Sequence, residues 1–132
     1  MTLRRFAIAF TLILASALAA LGAGPEVEFD ETVFDFGTVR ESAAPIQTVF
    51  VMTNKGSVPV AILSASTTCG CSKAEYPTKP VEPGKTAKIK VKFNPAGQHG
   101  EINREIKLRI KAAGGKSRRI PLRIRGNVIP AD

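Results

Sequence analysis

The sequence predicts an all-β domain, with about seven short strands in two antiparallel sheets packed face to face. Three observations point there. Apolar residues alternate with lysine or arginine at period two through the second half of the chain, turn residues separate the runs, and beyond residue 23 no stretch repeats its apolar residues at helical spacing.

The clearest strand is Ala87-Lys88-Ile89-Lys90-Val91-Lys92-Phe93, in which every second side chain is a lysine. A helix would scatter these lysines around its circumference, whereas a strand puts them on one wet face and the apolar residues on a buried one. Ile106, Leu108 and Ile110 alternate in the same way with Lys107, Arg109 and Lys111. Ile120, Leu122 and Ile124 alternate with Arg119, Pro121, Arg123 and Arg125. Gly114-Gly115 between these two runs reads as a hairpin turn, because glycine reaches positive φ without steric cost.

Upstream, Val27 to Phe29, Val33 to Val39, Ile46 to Thr53 and Val58 to Ser64 complete the set, with Asn54-Lys55-Gly56-Ser57 turning the chain between the last two. Pro83-Gly84 and Asn94-Pro95-Ala96-Gly97 flank the lysine strand. Val49-Phe50-Val51-Met52 is apolar on both parities, so its strand is central or covered on its second face, and which face leads stays open. Short strands and turns in this rhythm predict an immunoglobulin-like antiparallel β-sandwich, without the two distant cysteines and intervening tryptophan of antibody domains. The chain has no tryptophan.

At the N-terminus, Arg4 and Arg5 precede an apolar run of 16 residues from Phe6 to Leu21, and Gly22, Ala23 and Gly24 follow. Basic, apolar and small-residue regions in that order are the layout of a secretory signal peptide. The run is shorter than the about 20 residues that cross a hydrocarbon core. Residues 1–23 are therefore expected to be a signal peptide cleaved between Ala19 and Ala23, and residues 24–132 a single exported domain of 109 residues with no transmembrane segment. No cysteine follows the run, so no lipid attachment is expected there. The expected location is the periplasm or the extracellular side of the cell envelope.

Several of these segments together resemble a known family. Phe34-Asp35-Phe36-Gly37-Thr38-Val39, Asn54-Lys55-Gly56, Cys69-Gly70-Cys71 with Tyr76-Pro77, Val81-Glu82-Pro83-Gly84 and Phe93-Asn94-Pro95 are similar, in that order, to the secreted bacterial domain of unknown function numbered 1573. The similarity runs from about Phe29 to Val128. It implies an immunoglobulin-like sandwich akin to modules of cilium-associated and pilus-chaperone proteins, and it implies no activity. Where the family tends to a polar turn before its last strand, this chain has Ala112-Ala113-Gly114-Gly115.

Cys69 and Cys71 are the only cysteines, one residue apart. Three readings stay open. A disulfide within the triplet is feasible because Gly70 can bend the chain to bring the two Cα atoms within the tolerated range. So small a loop contributes only roughly 1.5 kcal/mol, which suits a reducible link better than a structural staple. A reduced pair could instead hold a soft metal such as copper(I), or bond to another molecule. Lys73 is close enough to Cys71 to lower a thiol pKa, or is simply a solvated loop charge; no histidine is near in sequence.

Other chemistry finds little support. A closed zinc site needs four ligands, and the chain offers two cysteines and His99, which reads as an exposed turn residue. Asp30, Glu31 and Asp35 lack the patterned spacing of a calcium loop and read as a solvated acidic edge. No motif for triad hydrolysis, phosphate-loop binding or paired-carboxylate catalysis is present, so the domain is expected to be non-enzymatic and to carry no cofactor.

Charge is segregated along the chain. Residues 24–72 hold six acidic and two basic side chains, and residues 73–132 hold fifteen basic and five acidic ones. If the last two strands pair, Lys107, Arg109, Lys111, Arg119, Arg123 and Arg125 share one face with only Glu105 among them. Clustered like charges oppose folding, so the face either serves an anionic partner or is tolerated as an aggregation-resistant surface. The anionic partners open to an exported protein are an envelope component or another envelope protein. Nucleic acid is not expected, since these strands carry no aromatic residue to stack on bases. The sequence thus predicts an exported, non-enzymatic module with a binding or structural role in the envelope. The rival is a small thiol-disulfide or copper-handling protein using Cys69 and Cys71.

Overall fold

The computed structural model describes residues 24–131, so the expected signal peptide over residues 1–23 lies outside the described residues. Eight strands follow in order: β1 (Val27–Phe29), β2 (Val33–Arg40), β3 (Ile46–Asn54), β4 (Val60–Thr67), β5 (Ser72–Glu75), β6 (Thr86–Phe93), β7 (Gly100–Ala112) and β8 (Ser117–Ile129). One sheet has the order β1-β3-β6-β5 and the other β2-β8-β7-β4. Among the described residues no helix is long and apolar enough to cross a membrane.

Period-two alternation builds the core. Ile89, Val91 and Phe93 of β6 face Ile106, Leu108 and Ile110 of β7 and Leu122 and Ile124 of β8, and all eight are buried. Each large aliphatic side chain removed from water contributes roughly 1.5–3 kcal/mol, so this cluster dominates the stability. The ambiguous strand resolves as well. Phe50 and Met52 of β3 point into the core, Val49 is exposed on the outer face, and β3 lies between β1 and β6.

Four features differ from the sequence reading. An eighth strand, β5, has no apolar alternation of its own and exists because Ser72 to Glu75 pair with Phe93 to Lys90 along the edge of β6. Strands β7 and β8 extend well beyond 106–111 and 119–125, in register from Gly100↔Val128 to Lys111↔Ser117. Mutual pairing thereby carries Asn103, Gly126 and Asn127, residue types of poor strand propensity, into the ladder. Strand β4 starts at Val60 rather than Val58 and continues to Thr67. Finally, β2 joins β8 in parallel, while every other strand pair is antiparallel.

The β2–β8 pairing is interrupted by a register shift between Asp35 and Thr38. Gly37, with φ of 71°, supplies the left-handed turn there, and its N–H donates to the Asp35 Oδ1 at 2.8 Å. Phe36 stacks on Phe93, with ring centroids 5.3 Å apart, and lies against the bare backbone of Gly126.

Candidate functional site

The Cys-Gly-Cys triplet sits where the chain leaves the end of β4 in one sheet and enters β5 in the other. Cys69 and Cys71 are joined by a disulfide with a Cα–Cα separation of 5.3 Å, inside the range such bonds tolerate. Both half-cystines are half-buried, with Gly70 exposed between them, and Cys71 packs against the core. The surrounding bonds are backbone anchors. The Thr67 hydroxyl donates to the Cys69 carbonyl at 3.1 Å and to the Ser72 carbonyl at 3.3 Å, and the Asn94 N–H donates to the Cys71 carbonyl at 2.9 Å. The turn is thus held at both ends independently of the sulfurs. Lys73 lies on exposed edge strand β5, opposite Lys92 of β6.

The second candidate is the outer face of the β2-β8-β7-β4 sheet. Register fixes which side chains lie side by side: Glu101 with Asn127, Asn103 with Arg125, Glu105 with Arg123, Lys107 with Pro121, Arg109 with Arg119 and Lys111 with Ser117. On the flanking strands Asp35 pairs with Arg125, Ser64 with Arg109 and Ser66 with Lys107. The six cations named from the sequence are all exposed. They are not equivalent. Arg123 is 3.8 Å from the Glu105 carboxylate and donates to the Asn103 side chain at 3.0 Å, and Arg125 is 3.4 Å from the Asp35 carboxylate.

Glu105 is therefore not the only carboxylate on the face. Asp35 arrives from β2, more than eighty residues away in sequence, as the partner of Arg125. Lys107, Arg109, Lys111 and Arg119 make no ion pair among the described residues. The face is graded, from carboxylates and amides at the Glu101–Asn127 end to cations and hydroxyls at the hairpin end. Arg109 directly opposite Arg119 is the costliest pairing on it, and a groove of about 300 Å³ lined by Ser64, Ser66, Lys107, Leu108, Arg109 and Arg119 runs over it.

Of the remaining sequence candidates, Asp30 has a structural role. The Asp30 carboxylate accepts from the N–H groups of Glu31 and Val51, both at 2.8 Å, and so pins the β1–β2 loop to β3. Exposed His99 lies 3.6 Å from the Glu41 carboxylate. Sequence reading passed over Arg104, which occupies a core-facing parity of β7 between Ile102 and Ile106. Its Nη2 donates to the Gln98 side chain at 3.2 Å, while its buried Nε has no partner. The signal was a single cation interrupting the apolar parity of that strand.

Solved structures place this architecture. PapD-like domain 7 of human CEP192 superposes with a TM-score of 0.65 at 15% identity, covering 83% of this chain and 89% of that one. The Vibrio cholerae VesB protease gives 0.64 at 16% identity over 76% of this chain and 31% of that one, and the periplasmic chaperone SfaE gives 0.60 at 11% over 81% and 58%. The chain thus corresponds to under a third of the protease and little more than half of the chaperone. At such identities the likeness establishes an immunoglobulin-like, PapD-like fold and nothing about activity. No curated protein sequence matches this one. The family described as "Protein of unknown function (DUF1573)" matches residues 27–128, which reach from the first residue of β1 to the penultimate residue of β8 and include the bridged triplet: the chain belongs to the DUF1573 family.

Proposed function

We propose that this chain is an exported, non-enzymatic binding module of the cell envelope, its domain spanning residues 24–132 after removal of a signal peptide, and that it works by holding an anionic partner. The observation that carries this reading is the cluster Lys107, Arg109, Lys111 and Arg119, without an ion pair among the described residues, at one end of a sheet face on which Arg123 and Arg125 are neutralised by Glu105 and Asp35. Mere solubility would be served as well by dispersed charge. The periplasmic chaperone among the fold relatives and the signal-like N-terminus support the compartment. The combined change Lys107→Glu, Arg109→Glu and Arg119→Glu is expected to abolish retention on immobilised dextran sulfate at low salt. Its thermal midpoint should stay within about 5 °C of the parent, because none of the three makes an ion pair among the described residues and exposed charges contribute little to folding. Equal retention of variant and parent would leave the cluster as a solubility feature.

The bridged triplet favours a second reading. A disulfide that closes over a single residue removes little chain entropy from the unfolded state and is suited to exchange with a dithiol protein, whose two thiols become a disulfide as Cys69 and Cys71 become thiols. The reduced pair would offer two soft sulfur ligands to copper(I). Replacing both cysteines with serine is expected to cost less than about 2 kcal/mol, since the Thr67 and Asn94 anchors remain. Dithiol exchange and copper(I) uptake, read by thiol titration and bound-metal analysis, would disappear. A variant that fails to fold would show the bridge to be structural.

A further inference from the structure

We propose that the hairpin end of the outer sheet face docks on an anionic lipid surface, with Leu63 as its apolar contact; this rests on the reading of that face as the site for an anionic partner. Strand β4 carries a bulge at this point, its register passing from Ile62↔Ile110 to Ser64↔Arg109. Two consecutive residues, Leu63 and Ser64, therefore lie outside the core before alternation resumes at half-buried Ala65. Bulges re-aim side chains in this way. Leu63 is 45% exposed, the most exposed large apolar side chain among the described residues. It lies beside the stretch of β7 that carries Arg109 and Lys111, with Arg119 across the ladder on β8.

A soluble polyanion would use the cations and the hydroxyls of Ser64 and Ser66 but has no use for an exposed leucine. A phosphate-bearing bilayer uses both. Headgroups meet the cations, each worth about a fivefold gain in partitioning near an anionic surface, and Leu63 enters the headgroup–acyl boundary. The opposite face is a natural control. There Lys88, Lys90 and Lys92 of β6 stand with Lys73 of β5 and with exposed Val49 of β3, but Val49 is shorter and less exposed than Leu63, at 36%, and Glu75 sits opposite Lys90.

The test is vesicle co-sedimentation of protein recovered from its native compartment, using phosphatidylcholine alone or with phosphatidylglycerol, beside binding of soluble inorganic polyphosphate. The parent should favour the anionic vesicles over neutral ones by at least tenfold. Lys107→Glu, Arg109→Glu and Arg119→Glu together should remove that preference and polyphosphate binding alike. Leu63→Ser should weaken vesicle binding about fivefold and leave polyphosphate binding unchanged, and Lys88→Glu, Lys90→Glu and Lys92→Glu together should alter vesicle binding less than threefold. Polyphosphate binding without a preference for anionic vesicles, or with Leu63→Ser silent on vesicles, overturns the lipid assignment while leaving an anionic partner standing. Equal loss in the control variant overturns the assignment to this face, and binding to neither probe overturns both readings.

Discussion

Replacing Asn54 with alanine is expected to lower the stability of the domain by about 3 kcal/mol, the summed effect of three lost side-chain hydrogen bonds at about 1 kcal/mol each. Asn54 ends β3 with its side chain wholly out of solvent. Its Nδ2 donates to the Val58 carbonyl at 2.8 Å and the Val81 carbonyl at 2.9 Å, and its Oδ1 accepts from the Gly56 N–H at 2.9 Å. One amide thus ties the β3–β4 turn to the segment before β6, where Val60 and Val81 exchange backbone bonds at 3.0 and 2.7 Å. Alanine removes both donors and the acceptor and leaves a void that adds to the loss. The thermal midpoint should fall by roughly 15 °C.

Asn54→Asp separates the hydrogen bonds from the packing. The shape is kept, but a carboxylate would face two carbonyl oxygens in a dry site, so burial and repulsion would raise its folded-state pKa above the unfolded value of about 4. The neutral form can still donate one bond. Stability relative to the parent is therefore best below about pH 4 and is lost as pH rises through the raised folded-state value. Equilibrium unfolding at pH 4 and pH 7 checks this. A loss under about 1 kcal/mol for Asn54→Ala, or a gap between Asn54→Asp and the parent that does not widen with pH, would show that water replaces the amide.

Gly126→Ala is expected to destabilise by about 2–3 kcal/mol. A Cβ on Gly126 would overlap the edge of the Phe36 ring, and the ring cannot move without giving up its stack on Phe93. Overpacking a well-filled core costs about 1–3 kcal/mol, and a lost aromatic pair about 0.5–1.5 kcal/mol more. The cause is testable by a double-mutant cycle. With Phe36→Ala already in place the clash is gone, and Gly126→Ala should be neutral or stabilising by about 0.5–1 kcal/mol, because alanine loses less backbone entropy than glycine in a strand. Additive losses in the cycle would mean that backbone distortion, rather than the ring, rejects the methyl group.

What the sequence determined by itself follows from its local period. Alternation at Ala87 to Phe93, Ile106 to Lys111 and Arg119 to Arg125 assigned each residue to a wet or a dry face, since adjacent side chains in a strand must point opposite ways. That was enough for the fold class, the main core and the six exposed cations. Registration between strands is not local, and only the tertiary structure decided it. It set Arg109 against Arg119, brought Asp35 to Arg125, and turned Ser72 to Glu75 into a strand by giving it an edge to pair with. The arginine at the core-facing position 104 was legible as a cation in an apolar parity, but the bulge that leaves Leu63 outside and the reach of Asn54 to Val81 were hidden for the same reason as the registers. Each depends on what a distant segment presents, and a period of two records only which side of the strand a residue takes.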